Sequence, residues 1–585
     1  MFDIKNHLQR NIVGAGVRGR VDYSTQKLKI AVRTQDKTEY VMGAPQNITT
    51  AKPLLSTLPL ENLGNDLISG ASLSLKSKIF DDGLYAAVEL LVDAGSPTFM
   101  GKTDFVRQLV SRVLEQTTDR SASGLSLLSA LELLRTDSTQ AQGDLCLTAL
   151  QISRSFLDNV ERSKPIGFYT WSEDLSRIFR RDRLSQQKLF DQDWMPVIDV
   201  LRQNEALNKA YLQHLLVPSR LTNPLTDAGM ALAVSSPEWR CQGVQINLFP
   251  ASTSLEKRVQ DLLPLDAPGP LIDEIIARLR SNEISIVPDQ NSGWYDHQLY
   301  ALSALILFEQ LPESKKLSID EKYRECLDEL FKGFYALTRE IHIKQLEMSW
   351  GSGRPLPTPT LYVRPTLTVE PLPTYYDRKS LAYKFINQTL QEMFGVESLQ
   401  KIHRQTAHGA VEKPLFDELV WIEMLFRGAA ATACIELGMD PATIIEGDYS
   451  ADYDHFIDYA KQISNDSELA SDCRMMVPVQ VDGPDSYTIW AFLGWEDVLL
   501  DVSYLERPIV LGTEYDTDSQ GYKNFQTMYR GSLPETKVEY SEAAYKIYRP
   551  VCAELKVKSI LNRQEFQAVC NEYKSAEAII AKLKV

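Results

Sequence analysis

Between Pro414 and Leu437 the chain carries a run that is apolar almost all the way round a helix: Leu415, Phe416, Leu419, Val420, Ile422, Met424, Leu425 and Phe426, then Ala429-Ala430-Ala431. A helix without a polar face has to be buried, so the rest of the chain must supply elements to wrap it. Pro414 suits its first turn, and Gly438 suits the position just past its end. Asp417, Glu418, Glu423 and Arg427 ride on the same segment. Charges taken inside must be paired or functional, and the four-residue spacing of Glu423 and Arg427 predicts an ion pair along the helix.

The wrapping material is visible in the apolar periodicity. Phe105 to Leu114, Leu125 to Leu134, Leu145 to Val160, Leu184 to Leu216, Asp296 to Gln310, Ile319 to Met348 and Ser380 to Phe394 show helical spacing. Val21 to Val32 and Glu39 to Met42 alternate, and Ala71 to Val92 mixes alternation with apolar runs, so the first 98 residues read as strand-rich. Val244 to Phe249 is strand-like, and Ser252 to Glu256 resembles a helix start. Arg354 to Pro373, rich in proline, reads as an ordered extended connector in which Leu361, Val363, Leu367 and Val369 alternate. Near the end, Met475 to Val481, Tyr487 to Phe492 and Val498 to Val502 read as strands, and Arg563 to Val585 as a helix.

The predicted fold class is mainly α with α+β ends. A large helical central domain, 99–450, is flanked by a strand-rich N-terminal portion, 1–98, and a C-terminal α+β portion, 451–585. At 585 residues the chain exceeds what one hydrophobic core usually supports, and two to four units are expected.

A net charge of -16, from 78 acidic and 62 basic residues, argues against a nucleic-acid partner, which requires a concentrated basic face. The most basic stretch, Arg177 to Arg183 (RIFRRDR), reads as a solvated or ion-paired helix flank. Seven scattered cysteines without a CxxC pair fit a reducing compartment. The segment MFDIKNHLQRNIV lacks the apolar core of a signal peptide, and no stretch has the length and apolarity of a membrane span. The expected location is the cytoplasm, without a membrane partner; oligomeric state is not set by the sequence.

Familiar motifs fail on context. Gly14-Ala15-Gly16-Val17-Arg18-Gly19 matches GxGxxG literally but lacks the preceding strand and following helix that would aim backbone amides at a pyrophosphate. Asp516 to Gly521 imitates half a calcium loop, yet Thr527 stands where a bidentate Glu is required. His403 and His408 (HRQTAH) fall on different faces of a helix and could share a metal only across a bend at Gly409; surface or capping roles are expected, and no metal site is assigned. No cofactor is identified.

Four segments, taken in order, resemble a bacterial and archaeal family of uncharacterised proteins, the domain-of-unknown-function family thirty-one-sixty. Gly167 to Leu175 (GFYTWSEDL) with Phe179-Arg180 looks like its GHYTxSxxL…YFR stretch. Trp294 to Leu305 is similar to its WLYALxPL segment, Gly333 to Arg339 keeps the spacing of GSWxELRHD, and Val369 to Pro373 with Tyr376 looks like VEPxPExYxRL. The likeness spans roughly 165–380. It departs at Phe168, where the family has His, and at Glu340-Ile341, where it has His-Asp, with His342 two positions beyond that His. The resemblance implies no reaction.

The same segments supply the candidate site. Ser172 or Thr170 is placed to cap a helix that begins with Glu173 and Asp174. In the helix from Ile319, Leu327, Leu330, Phe331, Phe334, Leu337 and Ile341 share an apolar face, while Glu340, Lys344 and Glu347 form a solvated stripe. Arg339 and His342 lie between the two, where a cleft lining would sit. Arg339, Glu340, His342 and Tyr169 are therefore the candidate catalytic residues: His342 and Glu340 for proton transfer, Arg339 for an anionic group. Trp171, Trp294, Asp296, His297 and Tyr300 are the candidate substrate-binding residues, since aromatics with a few polar groups often line pockets. The resulting expectation is an enzyme with an acid–base cleft among the central helices, acting on a peptide or glycan-like substrate. The rival is a non-catalytic binding or assembly protein whose aromatic surfaces engage a protein partner.

Overall fold

The structure is a computed structural model and describes residues 28–33, 67–118, 122–136, 144–252, 271–339, 367–471, 476–483, 486–504, 543–559, 561–573 and 576–583. It is mainly helical, with small sheets, as the periodicity implies. The principal helices are α1 (Gly70–Ala94), α2 (Lys102–Gln116), α3 (Ser123–Thr136), α4 (Asp144–Asp158), α5 (Glu173–Ser185), α6 (Asp191–Gln203), α7 (Glu205–Leu221), α8 (Leu271–Arg280), α9 (Trp294–Ser303), α10 (Glu321–Arg339), α11 (Pro373–Phe394), α12 (Leu415–Glu436), α13 (Ser450–Gln462), α14 (Arg563–Glu572) and α15 (Ala576–Leu583).

Helix α1 overturns the strand-like reading of Ala71 to Val92. It is buried on every side, so its apolar residues follow no single stripe, and the alternation of Leu73 and Leu75 carries no information about the backbone. Its start is set by Ser69, whose hydroxyl accepts from the Ser72 N–H at 3.1 Å. Its end is set by Gly95, whose φ of 86° is a conformation that side chains resist, and whose N–H closes on the Leu91 carbonyl.

The all-apolar helix is α12; it packs between α11 and α13, with its second half from Leu425 to Ile435 buried save Arg427, while Phe416, Val420 and Met424 of the first half stay half-buried and Asp417 is exposed. The approach to α13 is close enough that a Cβ at Gly428 would lie 2.0 Å from the Asp452 carbonyl oxygen. This contact corrects the pairing expected along α12. Arg427 reaches across to the Asp452 carboxylate at 2.7 Å instead of pairing with Glu423, because α13 delivers a carboxylate to the point of closest approach. Glu418 meets Arg404 from the neighbouring hairpin.

The longer strands are β1 (Leu28–Arg33), β2 (Leu317–Ile319), β3 (His403–Thr406), β4 (Gly409–Pro414), β5 (Met476–Gly483), β6 (Ser486–Tyr504) and β7 (Ala543–Val557), and within the segment read as strand-like from Val244, Gln245–Ile246 pairs antiparallel with Leu189–Phe190. The two runs read separately from Tyr487 and Val498 form the single strand β6, bulged near Phe492 and Gly494 and paired along one edge with antiparallel β7. Its other edge takes β5 against the first half and β1 against the last, with Leu28 opposite Tyr504. β2 adds to β1 in parallel. The helix expected from Arg563 to Val585 is two, α14 and α15. Between α11 and α12, β3 and β4 form a hairpin, so His403 and His408 lie on a strand and a turn, not on a helix. The proline-rich connector falls largely outside the described residues; at its described end Val369 bridges Ile68 in parallel.

Apolar side chains collect in two main cores. One joins α1, α9, α10, α11, α12 and the sheet. The other lies within α2 to α7, around Phe105, Leu128, Trp194, Leu201 and Tyr211. Where these cores meet, between α1, α2, α5 and α7, the packing leaves a cavity. Among the described residues no helix is long and apolar enough to cross a membrane.

Candidate functional site

The seam cavity has a volume of about 130 Å³. Its walls are Tyr85, Val88, Glu89 and Val92 of α1, Lys102 of α2, Phe179, Asp182 and Arg183 of α5, and His214, Val217 and Leu221 of α7. The turn carrying Tyr169 and the loop from Phe249 to Ser252 complete it.

The spacing along α1 is what brings polar groups to this face. Asp81, Tyr85 and Glu89 are four residues apart and therefore stack along one side of the helix. Across from Glu89, the Tyr169 turn is fixed by Ser172, which caps α5 by accepting from the Leu175 N–H at 3.1 Å, and by Ser176, which donates to the Tyr169 carbonyl at 2.9 Å. The cap and the acidic first turn of α5 are those read from the sequence. The Tyr169 hydroxyl donates to Glu89 Oε1 at 2.9 Å.

Electrostatics divide the wall into closed and open parts. Lys102 Nζ meets Asp182 at 2.8 Å and lies 4.8 Å from the Phe249 ring centroid. Arg181, 2% exposed, bonds Asp182 at 2.9 Å and also Asp93; Asp93 is shared with Arg135 and the Thr103 hydroxyl. Burial pushes both Asp93 and Asp182 upward, but these cations outweigh it and hold the two carboxyls below the usual range. These groups satisfy one another.

Glu89, Arg183 and His214 are the open part. Burial, reinforced by the Asp182 charge, raises the Glu89 carboxyl above the ordinary carboxylate range against the opposing pull of Lys102, Tyr169 and Arg181. Glu89 is deep in the fold yet keeps accessible surface, which is the surface toward the cavity. Burial, then the repulsion of Arg162, pulls the Arg183 guanidinium down to about 10. Its plane lies against Phe179, 5.1 Å from the ring centroid. Among the described residues it meets no carboxylate, and its Nε meets no acceptor. His214, 1% exposed, is ringed by Phe99, Phe105 and Phe249. Burial holds it neutral, well below 6.5, with the Met100 backbone opposing weakly. Among the described residues neither ring nitrogen completes a hydrogen bond of good geometry.

Of the sequence candidates, Tyr169 is on this wall. Trp171 is half-buried on the same turn, 6.2 Å from Phe168 between ring centroids. Trp294 is fully buried behind the cavity, 5.4 Å from Tyr85. Asp296 sits in the first turn of α9, where the helix dipole favours a carboxylate. His297 stacks on Phe385 at 4.0 Å, and burial followed by Arg220 lowers it to about 4. Tyr300 lies under Arg378, 3.9 Å away. These five do not line the cavity, and the burial of Trp294 and Tyr295 removes two rings from any aromatic docking surface. Arg339 ends α10; its side chain, Glu340 and His342 lie outside the described residues.

The sequence reading missed Glu89, Lys102, Asp182, Arg183 and His214. The available signal was Asp81, Tyr85 and Glu89 at four-residue spacing inside an otherwise apolar stretch. The run RIFRRDR is ion-paired at Arg177 and Arg180, both through Glu173, as expected of a helix flank, but its Arg181 and Arg183 turn inward. Among the described residues no cluster of His, Cys, Asp and Glu has the arrangement of a metal site. Comparisons with protein-family models, with curated proteins and with solved structures find no match.

Proposed function

We propose that this protein is an enzyme whose acid–base centre is the Glu89–Tyr169 pair, acting on a small molecule bound in the cavity between α1, α2, α5 and α7. The observation that carries the reading is a carboxyl with a raised proton affinity, hydrogen-bonded at 2.9 Å by a half-buried phenol and lining a cavity. A carboxyl whose proton affinity is raised by burial is suited to general acid–base chemistry. Tyr169, whose own proton is held far more tightly because it is buried beside Glu89, orients that carboxyl without ionising. The volume narrows the substrate relative to the sequence expectation: about 130 Å³ admits one small molecule or one terminal group, not a run of a peptide or glycan chain.

The test follows solvent deuterium into a panel of small acids, amides and ketones that carry a C–H next to a carbonyl, read by NMR. The wild-type protein is expected to catalyse exchange in at least one compound, and Glu89→Gln to slow it by roughly a hundredfold or more. Exchange that survives Glu89→Gln unchanged, or no exchange across the panel, overturns the acid–base reading.

A further inference from the structure

Glu89 apart, the charged groups around the cavity pair off and leave one cation over. Lys102 is matched by Asp182, and Arg181 and Arg135 are matched by Asp93, with Asp182 and Asp174 completing the chain of ion pairs. Arg183 is the cation left over on this wall among the described residues. A guanidinium drawn into a protein without a counter-charge is costly, and the cost is recovered when a ligand brings the charge.

We infer that the cavity binds a short monocarboxylate, its carboxylate on Arg183. This rests on the reading of the cavity as the functional site and names what occupies it. Two features select the ligand. The guanidinium fork matches a planar carboxylate, while the Glu89 and Asp182 carboxyls on the same wall oppose a second negative charge and so disfavour a phosphate dianion. The volume of about 130 Å³ is close to that of an engineered protein cavity that holds benzene, so the ligand has on the order of six heavy atoms. Val88, Val92, Phe179 and Phe249 take its apolar part.

Binding is also coupled to the state of Glu89. The groups that face Glu89 are Asp182, Lys102, Arg181, Tyr169, Tyr85, Arg183 and His214. With Arg181 set against Asp93, Lys102, Arg183 and Asp182 leave the wall one positive charge in excess when Glu89 is protonated and balanced when it is ionised. A monoanion therefore binds with uptake of a proton and more weakly as pH rises.

The experiment is a calorimetric titration of the full chain with glycolate, acetate, glycolamide and inorganic phosphate. Glycolate and acetate are expected to bind, and glycolamide to bind at least about tenfold more weakly than glycolate because it lacks the charge. Arg183→Gln is expected to lower glycolate affinity about ten- to a hundredfold, and Arg183→Lys to lower it less. Thermal unfolding of each variant shows whether it is folded, and the ligand ranking on the wild-type protein stands without any variant. Phosphate binding more tightly than glycolate, glycolamide equal to glycolate, no binding to the wild-type protein at millimolar concentration, or a folded Arg183→Gln with unchanged affinity overturns the proposal. Glu89→Gln separates the two readings. It removes deuterium exchange if the acid–base reading holds, yet is expected to keep glycolate binding and to flatten its dependence on pH.

Discussion

Two clusters of buried polar groups lie along helix α1, and they differ in whether the protein alone completes them. Around Asp81, the carboxylate accepts from Tyr383 at 2.7 Å and from Gln298 at 3.0 Å, while Lys379 Nζ donates to the Gln298 carbonyl at 3.0 Å. Tyr383 also bonds the Ser77 hydroxyl at 2.7 Å, and the Lys379 ammonium lies over the Tyr383 and Phe426 rings. Two turns further on, Glu89 and Arg183 line a cavity, and the Arg183 cation has no carboxylate partner among the described residues. The first arrangement is a scaffold that fixes α9 and α11 against α1. The second is half of an interaction whose other half is a ligand. A buried charge alone does not mark a site; an incomplete set of partners beside a cavity does.

The comparison breaks most visibly if the scaffold is cut. Lys379→Met leaves Asp81 buried without its cation and is expected to cost about 3–5 kcal/mol in urea unfolding. Asp81→Asn combined with Lys379→Met is expected to cost less than the sum of the two single changes, as for groups that share one network. Additive losses would mean that the pair is not coupled. Burial draws Lys379 down to about 8 while Asp81 opposes, so its folded proton affinity lies below the unfolded one. The penalty of burying this charge is in full below pH 8 and is relieved as pH rises toward the ordinary lysine value near 10.4.

A middle-sized effect concerns acid. Asp93 and Asp182 have folded proton affinities below their unfolded values, so their stabilisation is present above about pH 4 and is lost as pH falls below it. His214 and His297 are also lowered, the latter to about 4. For them the unfolded state takes up protons first, and stability declines as pH falls from about 6.5. His297→Gln is expected to remove the part of the decline between about pH 6.5 and 4, measured as urea midpoints against pH; an unchanged slope would show that His297 titrates normally. The smallest effect is that of Ser172→Ala, which removes the α5 cap for about 1 kcal/mol and leaves the ligand ranking at the cavity unaltered.

Periodicity carried the fold further than it carried the site. The all-apolar α12, the amphipathic α10 and the strands β5 and β6 announce themselves because one-sided or complete burial leaves a pattern in the sequence. Helix α1 does not, because burial on every face erases the stripe that separates helix from strand. The same erasure hid Glu89, which reads as an isolated acid until α1 places it opposite Tyr169. Arg183 was disguised differently: RIFRRDR places Arg177 and Arg180 on Glu173 in an ordinary ion-paired flank, and nothing local distinguishes the two arginines of the run that turn inward. Tyr169 was legible through the turn and cap signals around it. Its partner lies 80 residues away, a distance that only the packing of α5 on α1 closes.

The central claim, that the cavity wall is kept for a ligand and not for stability, is tested most directly by the unfolding free energy of Arg183→Met without ligand. Removing a desolvated cation that lacks a carboxylate partner among the described residues is expected to leave stability unchanged or to raise it by up to about 2 kcal/mol. A loss of about 3 kcal/mol or more, comparable to that of Lys379→Met, would show that Arg183 is a structural member of the fold and would contradict the account.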